Sequence, residues 1–221
     1  VELEKEVFEQ AEIVLKVAPL TNEELEWVQK GQTIISALHL GSQNENYFKS
    51  MLEKATTGIA YEYIKGADQE FPLVRMMHEI TGSMAVQIAA HYLESKTGEH
   101  AGQGIMLGGI SGVPPATVAI LGAGITAEYA ARTALGYGAQ VFVMDNDLTA
   151  LRRLENALDR RIITAVANEQ YLRNALTFAD VLIGSAFKEG ETSSVWITEE
   201  MVSTMKEGSV LVDTVIDQGG C

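Results

Sequence analysis

The chain has 221 residues, 47% of them hydrophobic and 21% charged, enough apolar material for one large domain or two smaller ones. Its net charge of −14 argues against a general nucleic-acid or anionic-membrane surface. No apolar run is long enough for a membrane span, and Val1-Glu-Leu-Glu-Lys5 is no signal peptide. The lone cysteine, Cys221, excludes an intrachain disulfide and fits a reducing, cytoplasmic setting.

In chain order, residues 1–11 read as a helix with Val1, Leu3, Val7 and Phe8 inward, and 12–17 as a buried strand. Thr21-Asn-Glu-Glu24 is a capping box that opens a short helix through Trp27. A strand at 33–38, a helix at 43–54 and a strand at 57–63 follow. Strand alternating with helix is the signature of a parallel α/β sheet. Such sheets collect ligands beyond the C-terminal ends of their strands, and two polar residues stand there, Lys16 and His39. A lysine in an apolar strand needs an anion or solvent, and reads equally as a snorkelling edge residue. His39 suits proton transfer near neutral pH, with a satisfied structural histidine as the plain alternative. His78, His91 and His100 show no metal-ligand spacing, so no metal is expected.

The spacing predicts a long helix over 72–94, apolar almost all round, hence buried or bridging two domains. Its methionines read as packing. The glycine-rich stretch 96–115, ending in Pro114-Pro115, marks a domain boundary. Beyond it strands at 117–121, 140–144, 161–166, 180–184 and 209–213 alternate with helices at 124–137, 148–158, 168–177 and 198–205, a doubly wound unit with five parallel strands.

The first turn of that unit carries the strongest signal. Val118-Ala-Ile-Leu-Gly-Ala-Gly-Ile-Thr-Ala127 runs from strand through a Gly-rich turn into a helix, and Val141-Phe-Val-Met-Asp145 ends the next strand in an acid. This is the layout of a dinucleotide-binding βαβ unit. Gly122 permits the tight turn, Gly124 lets backbone approach a pyrophosphate, and Ala127 lets helix pack on sheet. Ile125 and Thr126 lie in the first helical turn, whose unpaired N–H groups face the phosphates. Asp145, with Asn146 beside it, suits an adenosine ribose. Its charge, with no arginine directly after it, favours NAD over NADP. Ser185 and Ala186 end the fourth strand as a wall of the cofactor crevice. Asn168 reads as a helix cap or a cofactor contact. Asp217, after the fifth strand, reads either as a group facing the nicotinamide or as a turn aspartate before Gly-Gly; Asp213 is weaker.

Several runs carry a resemblance: Ala11-Glu-Ile-Val-Leu-Lys-Val17, Leu38-His39-Leu40, Met77-His-Glu-Ile-Thr-Gly82, Leu107-Gly-Gly-Ile-Ser-Gly-Val-Pro114, Ile120-Leu-Gly-Ala-Gly124, Glu199-Glu-Met-Val-Ser-Thr-Met-Lys206 and Val215-Ile-Asp-Gln-Gly-Gly-Cys221. On these the chain resembles the family of alanine dehydrogenases and transhydrogenase α-subunits over nearly its whole length. The resemblance implies an α/β fold of two doubly wound domains. These are an incomplete flavodoxin- or Rossmann-like substrate domain at 1–71 and a Rossmann NAD-binding domain at 116–221, joined by the helix and linker at 72–115. It implies reversible, NAD-dependent oxidative deamination of L-alanine to pyruvate and ammonia, in a homo-oligomer, most often a hexamer. Lys16 matches the lysine that binds pyruvate oxygens, His39 the catalytic histidine, and Asp217 a second acid/base group near the nicotinamide. Gly122, Gly124, Ala127 and Asp145 match the NAD grip. The sequence departs from the family pattern after Lys16, where Val-Ala-Pro-Leu follows, and at His78 and Ala167. Both ends read as cut, so a fragment is expected, inactive alone. A transhydrogenase α-type subunit, an opine- or saccharopine-like dehydrogenase and a non-catalytic NAD-binding module are the competing readings.

Overall fold

The computed structural model describes residues 2–41, 43–67, 69–94, 101–186, 196–216 and 219–221. The chain forms two compact units, 1–76 and 77–221.

The first unit holds α1 (Glu2–Gln10), β1 (Ile13–Leu15), α2 (Asn22–Trp27), β2 (Thr33–Ser36), α3 (Glu45–Glu53) and β3 (Thr57–Ala60). The strands form a parallel sheet in the order β1-β2-β3, with Leu15 beside Ile35 and Ile35 beside Ile59. Phe8, Val14, Leu20, Leu25, Val28, Ile34, Tyr47 and Met51 make its core, and the Phe8 and Trp27 rings meet edge to face at 6.0 Å. Three expectations need correction. The first strand is shorter than 12–17 and is not buried on both faces. Val14 is buried, whereas Ile13 and Leu15 are exposed, Leu15 by 77%, because packed side chains cover one face of this sheet only. Val7 is likewise exposed. The third strand stops at Ala60, and Tyr61–Tyr63 is a turn of 3-10 helix.

The long helix α4 (Pro72–Leu93) begins at the junction of the units. It is not buried all round. Gly82, Ala85, Val86, Ala89 and Leu93 are buried, while Met77, Ile80, Met84 and Ile88 are exposed. Small residues set the buried side: a Cβ on Gly82 would come within 2.2 Å of the Thr126 carbonyl oxygen. The described part of the glycine-rich stretch is bound to the second unit. Gly104 donates to Leu93, Ala116 donates to Leu107, and Leu107 is buried.

The second unit continues with β4 (Thr117–Leu121), α5 (Ile125–Tyr137), β5 (Gln140–Asp145), α6 (Leu148–Ala157), β6 (Ile163–Val166), α7 (Glu169–Phe178), β7 (Val181–Gly184), α8 (Glu199–Val202) and β8 (Val210–Asp213). All five strands are parallel, in the order β6-β5-β4-β7-β8. Alternation along β4 divides the core. Val118 and Ile120 pack with the alanines of α5 and the buried side of α4, and Ala119 and Leu121 with Leu172, Leu176 and Met201. Helices therefore cover both faces, as near-continuous apolar strands require. Strand order reverses at β4, with β5 and β6 added on one side and β7 and β8 on the other, which opens a crevice beyond the C-terminal ends of β4 and β7. Helix α8 is shorter than the 198–205 expected.

Candidate functional site

In the first unit the polar groups collect where β1 and β2 end. The ladder runs on past both strands: the Lys16 N–H donates to Ile35 and the Ala37 N–H to Val17. Lys16 and His39 therefore follow adjacent strand ends. The Lys16 ammonium is ion-paired with Glu24 and donates to the Pro19 carbonyl at 3.1 Å. An ammonium has three donors, so one is left over from these contacts. Glu24 has two roles. Its carboxylate accepts from the Thr21 N–H at 2.7 Å and its own N–H donates to the Thr21 hydroxyl at 3.2 Å, completing the capping box of α2. Burial pushes the Glu24 carboxyl up, but the bonds from Lys16 and Thr21 outweigh it and hold the group below its ordinary range.

His39 is exposed, with φ at +45°, left-handed backbone that few non-glycine residues adopt. What holds it there is Glu62, which sequence reasoning missed. One Glu62 oxygen accepts from both the Leu38 and the His39 N–H at 2.8 Å, and its other oxygen is buried with no hydrogen-bond partner among the described residues. Next to it the Tyr61 hydroxyl donates to the Val17 carbonyl at 2.7 Å. The short helix after β3 thus ties down the ends of β1 and β2. Only the acid in Tyr-Glu-Tyr, 23 residues from His39, could have hinted at this.

In the second unit Gly122, Ala123, Gly124, Asp145, Ser185 and Ala186 come together. Gly122 has φ at +109°, and a Cβ there would meet the Ser185 and Ala186 backbone at 2.9 Å. Gly124 is the N-cap of α5 and has open space where a Cβ would stand. The side chains of Thr21, Asn44, Asp147, Asn168 and Thr198 cap α2, α3, α6, α7 and α8, but no side chain caps α5. Ile125 is half-buried, and Thr126 and Ala127 are buried against the sheet. The first-turn donors of α5 are thus left to an incoming acceptor, with the positive end of the helix dipole behind them.

Asp145 is more tightly engaged than a free ribose acceptor. Its carboxylate accepts from the Ala123 N–H at 2.6 Å and from the Asp147 N–H at 2.8 Å. A carboxylate has about four acceptor positions, so both oxygens keep room for a hydroxyl. Asn146 is exposed. Ser185 is a tie to the neighbouring strand, its N–H and hydroxyl both donating to the Leu121 carbonyl, at 2.8 and 2.9 Å. Asn168 caps α7 through the Tyr171 N–H at 2.9 Å. Asp213 accepts from the N–H groups of Val215 and Cys221. Burial first, then the Asp213 charge, pushes the Cys221 thiol up to about 11. Asp217 lies outside the described residues. Among the described residues, no cluster of His, Cys, Asp and Glu could hold a metal ion, and no helix is long and apolar enough to cross a membrane.

The uncapped, glycine-lined helix start offers backbone anion binding, and the other cluster an ammonium and an imidazole at strand ends. Known proteins share this sequence and this fold. The family model for the alanine dehydrogenase/PNT N-terminal domain matches residues 1–81 and that for the C-terminal domain residues 85–221. An alanine dehydrogenase of Methanococcus maripaludis is 40% identical over 98% of this chain and 57% of its own length. That of Bacillus subtilis is 38% identical over 95% and 54%. A solved L-alanine dehydrogenase superposes with a TM-score of 0.86 at 34% identity, covering 98% of this chain and 59% of the other. A transhydrogenase from Sinorhizobium meliloti shares the fold, with a TM-score of 0.78 at 22% identity. The chain spans a little over half the length of the curated relatives it matches. Both domain models and these identities place it in one group, and the chain belongs to the alanine dehydrogenase/PNT family.

Proposed function

We propose that the full-length protein is an NAD-dependent alanine dehydrogenase that interconverts L-alanine with pyruvate and ammonia. The observation that carries the cofactor half is the uncapped start of α5 behind Gly124, with Asp145 at the end of the neighbouring strand. These residues fit a dinucleotide: the first-turn N–H groups of Ile125, Thr126 and Ala127 receive the pyrophosphate, and the spare acceptor positions of Asp145 receive the ribose hydroxyls. Ser185 and Ala186 line the wall, and Asn146 borders the ribose. Bound NAD supplies the hydride acceptor.

The first unit supplies the substrate groups. The third donor of Lys16 binds a substrate oxygen while Glu24 and Pro19 fix the ammonium in place. Once hydride loss leaves an imine and water has added to its carbon, His39 takes the proton from the new hydroxyl as the carbonyl forms and the C–N bond breaks to release ammonia, and returns it in the reverse direction. Asp217 acts as a second acid/base group near the nicotinamide. In this division, 1–71 belongs to the substrate domain and 116–221 to the cofactor domain, with 72–115 connecting them. The exposed row Met77, Ile80, Met84 and Ile88 on α4 supports assembly into a homo-oligomer, which sedimentation of the full-length protein checks. The deciding assay follows NADH formation with L-alanine and then with other amino acids. Turnover with L-alanine above the others is the expected result. Equal inertness toward all, with NADH binding intact, would leave a binding module instead.

A further inference from the structure

Arg153 is a helix residue whose side chain ties α6 to the glycine-rich turn. It stands on the exposed side of α6, yet its guanidinium reaches back to the glycine-rich turn, where Nη2 donates to the Ala123 carbonyl at 2.8 Å. The N–H of that same residue donates to Asp145 at 2.6 Å. Ala123 is almost fully buried and lies between Gly122, in a left-handed conformation, and Gly124, the N-cap of α5. Its two backbone polar groups are thus held by side chains of opposite charge, one at the end of β5 and one on α6.

This arrangement matters because two glycines flank Ala123. An untethered Gly-Ala-Gly turn samples many backbone conformations, and a ligand that needs one of them must order the rest on binding. Asp145 alone fixes one side of Ala123. A second, charge-assisted bond on the carbonyl fixes the peptide plane that leads into Gly124, and with it the direction in which the open α5 donors point.

We propose that Arg153 is a positioning residue for the dinucleotide turn, holding the Ala123 carbonyl against α6 so that Gly124 and the α5 start are set for a pyrophosphate before it arrives. The inference rests on the dinucleotide reading above. A positioning role predicts a loss in cofactor affinity without a loss in the chemical step or of the fold. The test compares the full-length protein with R153A and R153K, by fluorescence titration with NADH, steady-state kinetics and thermal melting. For R153A, the Kd and KM for NADH are expected to rise about five- to tenfold, with kcat within about twofold and Tm lower by no more than about 5 °C, as losing one partner of the Ala123 carbonyl entails. R153K keeps a cationic donor and recovers part of the affinity. R153A binding NADH as well as the parent, or a loss of affinity matched by a large fall in Tm, would overturn the proposal. A parent protein that binds no NADH would overturn the dinucleotide reading and this inference with it, so the two failures are distinguishable.

Discussion

The two units carry the same kind of parallel sheet to different degrees of completion. In the second, helices cover both faces, and Val118, Ile120, Val181 and Ile183 lie fully buried. In the first, helices cover one face, and Leu15, Ile35 and Ile59 form an aligned apolar row on the other, with Leu15 and Ile59 exposed. A parallel sheet is ordinarily buried on both sides. The glycine-rich turn therefore sits on a fully packed scaffold and can be preset by bonds to Ala123. His39 and Lys16 sit at the ends of short strands on a half-covered sheet, and local polar ties do the work that packing does elsewhere. Glu62 pins the backbone at Leu38 and His39, and Glu24 pins the Lys16 ammonium.

The largest effect should come from separating chemistry in the first unit from dinucleotide binding in the second. His39→Asn keeps a side chain that tolerates the left-handed backbone and removes the titratable imidazole. Turnover by the full-length enzyme is expected to fall about 10²- to 10⁴-fold, with the Kd for NADH unchanged. A variant that loses NADH affinity to the same degree would deny the division of labour. Glu62→Ala tests the tie beneath it. With the part-buried Leu38 N–H and the exposed His39 N–H both losing their acceptor, the cost is about 1–3 kcal/mol, and kcat should fall while NADH affinity holds.

Packing offers the next contrast. Gly82→Ala places a methyl against the Thr126 carbonyl, where the built distance is 2.2 Å, so the backbone of α4 or α5 must move. Overpacking of this kind costs about 1–3 kcal/mol, and the displaced α5 start should weaken NADH binding as well. Leu15→Ala is its counterpart in the first unit. At 77% exposure the change should stay within about 0.5 kcal/mol in this chain. Thermal melting of both variants reads the difference. A Leu15→Ala loss as large as that of Gly82→Ala would show that the outer face of the first sheet is covered in solution.

The same contrast explains what could be read from the sequence. In the second unit, short near-continuous apolar runs and capping residues at Asp147, Asn168 and Thr198 are local signals, and the helices begin where the caps point. The Gly-rich turn was legible because its geometry depends on glycines at fixed spacing. The ties that complete it were not. Arg153 reaches Ala123 across 30 residues and Glu62 reaches His39 across 23, and no periodicity encodes such pairings. Tyr61–Tyr63 reads as strand because tyrosines favour strands, but the chain turns there so that Glu62 and Tyr61 can reach the adjoining strand ends. The exposure of Leu15 and Ile80 was illegible for a different reason. An apolar pattern states that a face seeks cover without saying whether this unit provides it.

The smallest effect expected is a pH dependence that isolates the Lys16–Glu24 tie. The folded chain holds the Glu24 carboxyl below its ordinary value of 4.5, since hydrogen bonds from Lys16 and Thr21 outweigh the upward push of burial. A carboxyl depressed on folding contributes stability that is fully present above its unfolded value and is lost as pH falls through the folded one. Glu24→Gln removes that contribution while keeping an oxygen for the Thr21 N–H. The variant should be the less stable protein at neutral pH, and the gap should close progressively below about pH 4.5 as the parent's carboxyl protonates. Unfolding measured in denaturant at a series of pH values reads this directly. A gap that stays constant down to acid pH would mean that Glu24 stabilises the unit by shape and capping alone. Lys16 would then not depend on Glu24 for its placement, and the contrast between a unit set by packing and one set by polar ties would lose its clearest support.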